Sequence, residues 1–374
     1  MTDMVYTYVA TCLFGLEKVL GEEIDALGLK RIHTMDGRVT FEGDENACAR
    51  ANVGLRCAER VYLKLGSFRA TTYTELFDGT AALPWPDFIG RKDAFPVKGH
   101  AIRSTLFSVP DCQSIIKKAV VRSMSQAYRE DWFEETGIKY QIEFFLFKDE
   151  AALMIDTTGT PLHKRGYRPE AGIAPLRETL AAGLVKLSHL RQDTMLWDPF
   201  CGSGTIVIEA TLDQCRIVPG LSRSFASESF PFIGSKVFEE EKERAKAQIV
   251  TDSEIMNWGS DIDSGVLKTA LQNARRAGIE KKIRFFQGDA TRLSRPDRRG
   301  TVICNPPYGE RMMDIREVEA MYRQLGRCQA DYAPWQIYIL TSCETFEKLY
   351  GRKANKVRKL YNGMIPCYLY EFFK

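Results

Sequence analysis

The stretch WDPFCGSGTIVIEA, residues 197–210, constrains the fold more than any other part of this chain. An apolar run closes on a carboxylate, two glycines follow at G-x-G spacing, and an apolar pattern of helical period begins at once. A strand that turns directly into a helix in this way is half of a β-α-β unit, and further units follow. DTMLWDPF predicts a buried strand and GTIVIEATLDQC a helix; NWGSDID, KIRFFQGDA, GTVICNPPY and WQIYILTS predict more strands, and LKTALQNARRAG a helix between the first two of these. APLRETLAAGLVKLS adds a helix before the first strand. Alternation of this kind implies an α/β fold with a doubly wound, mostly parallel sheet. KVRKLYNGMIPCYLYEFF is expected to close the chain as an antiparallel hairpin turned at Asn362 and Gly363.

The front of the chain has another style. Residues 1–66 read as a small α/β unit: YTYVATC and RVTFEG predict strands, while LEKVLGEEIDALG and DENACARANVGLR predict helices. Leu16, Val19, Leu20, Ile24 and Leu27 recur at helical spacing, and Gly28 stops that helix. Residues 67–160 predict a second unit, with YTELFDGTAAL helical, AFPVKGHAIRSTL a strand with turns and CQSIIKKAVVRSMSQAYREDW a long helix. A hairpin turning at Lys148, Asp149 and Glu150 closes it. Lys117, Lys118, Arg122 and Arg129 on the long helix suit either phosphate contact or a solvated face. GTPLHKRGYRPEAG, residues 159–172, reads as a linker, and residues 161–374 form the third unit.

Composition narrows the function classes. The 374 residues are 44% apolar and 27% charged, which fits a chain with a sizeable core and argues against disorder. No apolar run reaches the ~20 residues of a membrane span, and the N-terminus lacks the features of a signal peptide, so a cytoplasmic location is expected. Ten cysteines without a C-x-x-C pair and four scattered histidines predict reduced thiols and no structural metal. A net charge of +3 neither demands nor forbids a nucleic-acid partner.

In a doubly wound sheet, ligands bind beyond the carboxyl ends of the strands, which brings Asp198, Asp261, Asp289 and Asn305 into consideration together. A G-x-G turn into a helix normally suits a phosphate, but Asp198 ahead of it would repel a pyrophosphate and favour a positively charged centre. Gly202 and Gly204 leave bare backbone against the ligand. Asp261 can accept from two neighbouring ribose hydroxyls and Asp289 from an adenine amine. An amino acid, a ribose and an adenine make up S-adenosylmethionine. Taken singly, Asp261 or Asp263 could cap the next helix, and Asp289 could start a turn.

VICNPPYGER, residues 302–311, supplies the other half of such a site. Asn305 offers an amide oxygen, the prolines stiffen the chain so that the Pro306 carbonyl converges on the same point, and Tyr308 presents a flat face to a base. Two acceptors on a base amine can turn its delocalised lone pair toward a methyl donor, so positioning carries most of the chemistry. A carbon-5 pyrimidine methyltransferase would need a cysteine nucleophile, and Cys304 is expected to point into the sheet.

DPFCGSGT with NPPY resembles the class I methyltransferases of exocyclic base amines. LHKRGYR (162–168), APLRETLAA (174–182), DPFCGSGTIVIEA and NPPYGER together resemble the THUMP-domain guanine-N2 methyltransferases of bacterial 23S ribosomal RNA, over essentially the whole chain. The resemblance implies a seven-stranded Rossmann-like methyltransferase sheet preceded by ferredoxin-like and THUMP α+β domains, the latter binding RNA. It implies S-adenosylmethionine held by Asp198, Phe200, Gly202, Gly204, Thr205, Asp261 and Asp289, and a target guanine held by Asn305, Pro306, Pro307 and Tyr308. Arg177, Glu178 and Thr179 lie where related enzymes close over the cofactor, or are ordinary first-turn residues. Arg311 suits a phosphate or an acid partner. About 60 residues separate Asp198 from Asp261, and the span around 213–255 reads as an insertion that meets RNA through Arg216 and Arg223 or is architectural. Some members carry a second methyltransferase domain, and none is expected here. Alternatives are methylation of adenine N6 or of transfer RNA, a non-catalytic RNA-binding assembly factor, and a nicotinamide oxidoreductase, which the missing G-x-G-x-x-G disfavours.

Overall fold

The computed structural model describes residues 5–168, 176–252, 254–292, 294–308 and 315–373. The front half runs β1 (Tyr6–Cys12), α1 (Glu17–Ala26), β2 (Lys30–Met35), β3 (Arg38–Gly43), α2 (Glu45–Gly54), β4 (Ala58–Arg69), α3 (Tyr73–Ala81), β5 (Val97–Ile102), α4 (Val109–Tyr128), β6 (Ile142–Phe147) and β7 (Glu150–Asp156). Local chemistry sets several of these ends. Asp44 accepts from the Ala47 amide to cap α2, and Thr72 with Glu75 forms a reciprocal capping box at α3. Lys148 and Asp149 both adopt positive φ, as a two-residue hairpin turn between β6 and β7 requires.

These strands form one sheet in the order β2-β3-β1-β4-β7-β6-β5, antiparallel except for the β5–β6 pair. β4 pairs with β1 on one edge and β7 on the other, so the boundary expected between residues 66 and 67 falls inside a twelve-residue strand. Neither β4 nor β2 stood out in the sequence: a bulge between Lys64 and Gly66 breaks the alternation of β4, and every residue of β2 is exposed.

The rear half runs α5 (Glu178–Leu187), β8 (Met195–Asp198), α6 (Thr205–Gln214), α7 (Ser235–Lys246), β9 (Asn257–Asp261), α8 (Ser264–Arg276), β10 (Ile283–Gln287), β11 (Gly300–Cys304), α9 (Ile315–Cys328), β12 (Gln336–Thr341), α10 (Phe346–Tyr350), β13 (Lys356–Asn362) and β14 (Ile365–Phe372). Its sheet has the order β10-β9-β8-β11-β12-β14-β13, with the first five strands parallel and the final pair antiparallel. The chain steps outward from β8 to β10 and then returns to the other side of β8 for β11, which opens a crevice between those two strands. Asn362 pairs with Ile365, so the hairpin turns at Gly363 and Met364, one residue later than expected.

Residues 159–168 correct the linker reading. Leu162, Arg165 and Tyr167 are buried, and one apolar core runs from α1 through α5 and α6. Arg165 reaches Glu209 at 3.4 Å and the Arg56 carbonyl at 2.5 Å, Tyr167 donates to Glu209 at 2.9 Å, and Arg56 meets Asp213 at 3.0 Å. The insertion is architectural at Arg223, whose guanidinium donates to the carbonyls of Thr160, Pro161 and Leu162, while Arg216 stays exposed. α7 packs on α2, with Arg50 and Glu241 3.5 Å apart. On α4, Lys117 is drawn to Glu135 at 2.5 Å and over the Phe95 ring at 3.5 Å, whereas Lys118, Arg122 and Arg129 remain exposed. Among the described residues, no helix is long and apolar enough to cross a membrane.

Candidate active site

The strand order makes β10, β9, β8 and β11 neighbours, so the four acceptor-bearing strand ends expected to cooperate share one edge. Asp198 closes β8 at 1% exposure, and its Oδ1 accepts from the Phe200 amide at 3.0 Å. Burial pushes its carboxyl well above the ordinary range, the Phe200 amide opposes that rise, and the nearby Asp261 carboxylate adds to it. No cation pairs with it among the described residues. A buried acid beside a second acid is relieved by a positive ligand, and a ligand's ammonium or sulfonium fits this place.

The turn that follows is held from the next strand. Asp261 Oδ2 accepts from the Gly202 amide at 2.9 Å and Oδ1 from the Asp263 amide at 3.0 Å, while Asp263 itself caps α8 through Gly265. Gly202 has φ +50° and faces open space, since a Cβ there would meet nothing within 4 Å. Gly204, with φ +84°, is the N-cap of α6, so the helix starts at the crevice and its first residue is Thr205. Ile262, next to Asp261, is 69% exposed and gives the rim an apolar surface.

Asp289 sits beyond β10, where its Oδ1 accepts the Thr291 amide at 2.9 Å and hydroxyl at 2.7 Å, and Arg292 approaches its Oδ2 at 3.3 Å. Partial burial opposes these contacts, yet they hold its carboxyl below the usual range. The turn-starting alternative is therefore realised, and lone pairs remain for a ligand amine.

On the other side of the crevice, β11 pairs with β8 so that Val302 stands opposite Trp197. Asn305 then lies one residue past the strand, and its Oδ1 is buried with no hydrogen-bond partner among the described residues. Leaving such an acceptor unmade costs about 1–3 kcal/mol, so it is an open seat for a donor. Pro307 is pinned by α9: the Tyr322 hydroxyl donates to its carbonyl at 3.1 Å and meets the Thr341 hydroxyl at 2.8 Å. Tyr308 is half-buried, with its hydroxyl 3.4 Å from the Asn362 amide nitrogen and 3.6 Å from Cys367 Sγ. Cys304 is buried in the core and burial pushes its thiol well up, which suits no nucleophile.

Glu178 and Thr179 stand behind this edge. Arg168 meets Glu178 Oε1 at 3.0 Å and donates to Thr205 Oγ1 at 2.9 Å, tying α5 to the first turn of α6. Thr179, expected at the cofactor, is wholly buried and gives its hydroxyl to Glu59 of β4, so it serves the joint between the halves. Arg177 also reaches Glu59, at 2.9 Å. Arg311 lies outside the described residues. The sequence pointed to no site role for Arg168, Tyr322, Ile262 or Asn362: Arg168 and Ile262 fell inside quoted stretches, Asn362 read only as a hairpin turn, and Tyr322 carries no local signal.

Comparison with known proteins matches residues 7–62 to the RlmL ferredoxin-like domain, 70–156 to the THUMP domain and 165–371 to the RMKL-like methyltransferase domain. The Bacillus subtilis protein YpsC, provisionally named an RNA methyltransferase, is 42% identical over 370 residues, covering 98% of this chain and 96% of its own. The ribosomal RNA large subunit methyltransferase K/L of Aliivibrio salmonicida is 33% identical over 368 residues, and those cover 96% of this chain but 52% of that protein. The chain thus spans about half the length of the K/L relatives. Among solved structures, a possible methylase from Clostridium difficile superposes with a TM-score of 0.95 at 42% identity, covering 99% and 98% of the two chains. SMU.472, a methyltransferase structure complexed with SAH, superposes at 0.93 with 38% identity, covering 100% and 99%. With its strand-end acids, glycine turn and Asn-Pro-Pro-Tyr loop on one crevice, the chain belongs to the RMKL-like methyltransferase family.

Proposed function

We propose that this chain methylates the exocyclic N2 amine of a guanine in 23S ribosomal RNA with S-adenosylmethionine as donor. The buried Asn305 Oδ1, without a hydrogen-bond partner among the described residues and beside the tip of β8, carries the reading. The SAH bound in SMU.472 supports the donor, the THUMP match supports an RNA substrate, and the name of the K/L relatives supports the large ribosomal subunit. A cytoplasmic location belongs to the same proposal.

When bound, the cofactor supplies an electrophilic methyl group on a sulfonium. The chain's residues do the rest. Asp198 and the bare backbone of Gly202 and Gly204 take the charged end, with Phe200 and Thr205 flanking it. Asp261 keeps lone pairs for ribose hydroxyls while it holds the Gly202 amide, and Asp289 accepts from a base amine. Ile262 lends an apolar surface to that base. Across the crevice, Asn305 Oδ1 and the Pro306 carbonyl accept the hydrogens of the target amine, which orients its lone pair, and the ring of Tyr308 stacks on the base. Pro307, held by Tyr322, keeps those acceptors in register. The amine's proton is lost to water after transfer, so no strong base is needed.

Mass mapping of ribosomal and transfer RNA from cells lacking the gene tests this. Loss of one N2-methylguanosine from 23S RNA is expected. Loss of an N6-methyladenosine instead would move the acceptor to adenine, and an unchanged profile would refute the assignment.

A further inference from the structure

The turn between β13 and β14 carries an apolar side chain that folding does not use. Met364 is 94% exposed, and Ile365 beside it is 36% exposed. A single exposed methionine needs no explanation in general. This one sits on a braced tip. Gly363 takes φ +65° to make the tight turn, and Asn362, just before it, holds its amide 3.4 Å from the Tyr308 hydroxyl. Cys367, just after it on β14, approaches the same hydroxyl at 3.6 Å. The tip is thereby tied to the loop that offers Asn305.

The other side of the hairpin is braced from the front half. Gly15 lies so close to β13 that a Cβ would come within 2.6 Å of the Lys359 carbonyl, and Phe14 meets the ring of Tyr361 edge-on at 5.9 Å. Phe14 is itself 53% exposed. The Lys359 ammonium stands 5.7 Å from the Tyr361 ring, and both Lys356 and Lys359 are exposed. Lys359 and Tyr361 share one face of β13, with Phe14 against it, and Asn362 on the opposite face leads to Tyr308, so the apolar tip joins a ring-and-lysine face to the loop that offers Asn305. Lysines suit RNA phosphates, rings suit unstacked bases, and an unbranched thioether fits between two bases.

We propose that Met364 is the wedge that enters the RNA stack as the target base leaves it, occupying the vacated place while Asn305 and Tyr308 hold the base. This rests on the reading that the chain methylates a base in RNA. A base extruded from a stack loses its neighbours, and an inserted apolar side chain replaces part of that contact. The side chain makes no demand on the cofactor crevice.

The test compares wild type, Met364→Gly and Met364→Leu on two substrates: large-subunit RNA from cells lacking the gene, and a short single-stranded fragment spanning the mapped nucleotide. Wild type should methylate both. Met364→Gly should lose about tenfold in kcat/KM on the structured RNA and change less than about twofold on the fragment, with Met364→Leu restoring most of the loss. Titration with S-adenosylhomocysteine should give the same Kd for all three. In a structured RNA with 2-aminopurine at the target position, wild type should raise the fluorescence on binding and Met364→Gly should not. Equal loss on both substrates, or no loss on either, overturns the wedge while leaving the methylation reading intact. Wild type inactive on both overturns the methylation reading, and the wedge with it.

Discussion

Asp198, buried, and Asp213, half-buried, are acids of the same β-α unit, one at the start of the glycine turn and one in the last turn of α6, yet their environments pull in opposite directions. Asp213 lies in the joint between the halves. Burial opposes its ionisation, but Arg56 at 3.0 Å and Lys186 at 2.7 Å hold its carboxyl below the ordinary range. Among the described residues Asp198 has one backbone amide, no cation and a second acid nearby, and burial raises its carboxyl well above that range. The same contrast holds for the two regions as wholes. In the joint, Glu59 meets Arg177 at 2.9 Å and Arg165 meets Glu209 at 3.4 Å. At the crevice, among the described residues, Asp198 lacks a counter-ion and Asn305 Oδ1 lacks a donor. A buried polar group that is already paired is architecture. One left unpaired in a crevice, as Asn305 Oδ1 is among the described residues, marks a place for a ligand, whereas the orphan atoms Arg56 Nη1 and Glu209 Oε2 in the joint belong to groups that are already ion-paired.

The largest effect should come from breaking the joint. Arg165→Ala leaves Glu209 buried without its cation, and a loss of about 3–5 kcal/mol is expected in urea unfolding. A loss near zero would mean that the joint is not a structural element at all. At the crevice, Asn305→Ala should cut kcat by about a hundredfold or more while the Kd for S-adenosylhomocysteine in calorimetry moves less than about threefold. If stability falls as in the joint variant, the distinction between the regions is lost.

Two matched substitutions sharpen the contrast by pH. The depressed carboxyl of Asp213 contributes stability that is present above its unfolded value and lost as pH falls, so Asp213→Asn should cost about 2 kcal/mol at pH 7 and nothing in acid. The raised carboxyl of Asp198 works the other way: the folded chain retains a proton that the unfolded chain has released, so stability falls as pH rises above the ordinary aspartate value. Asp198→Asn should therefore equal or exceed wild type in Tm at pH 8 while losing roughly tenfold or more in S-adenosylhomocysteine affinity. Parallel pH slopes for the two variants would contradict the assignment of cause. The smallest effect is expected for Tyr322→Phe, which removes the donor to Pro307 and should lower kcat about threefold, with stability down by about 1 kcal/mol.

Much of the site was legible because its residues are contiguous. The acid, the glycines and the helix start fall within residues 197–210, and Asn305 to Tyr308 are adjacent, so motif and spacing carried them. What escaped depends on partners distant in the chain. Tyr322 reads as an ordinary core aromatic of α9 until its hydroxyl is seen on Pro307, and Thr179 reads as a cofactor residue until Glu59 is seen to take its hydroxyl. The linker reading failed over 159–168 for the same reason: glycine, proline and basic residues look like a spacer, but Arg165 finds Glu209 and Arg56 from distant parts of the chain. β4 was hidden by its bulge, and with it the continuity of the front sheet.

The sequence alone determined the alternation of strands and helices, the positive-φ turns and the capping of several helices, because those follow from hydrophobic period and from what each residue's own backbone tolerates. Tertiary structure decided which acids are compensated and which are left wanting a partner. That choice depends on whether a cation from elsewhere in the chain reaches the carboxylate, as Arg56 reaches Asp213 and no described cation reaches Asp198. Local pattern carries no record of it.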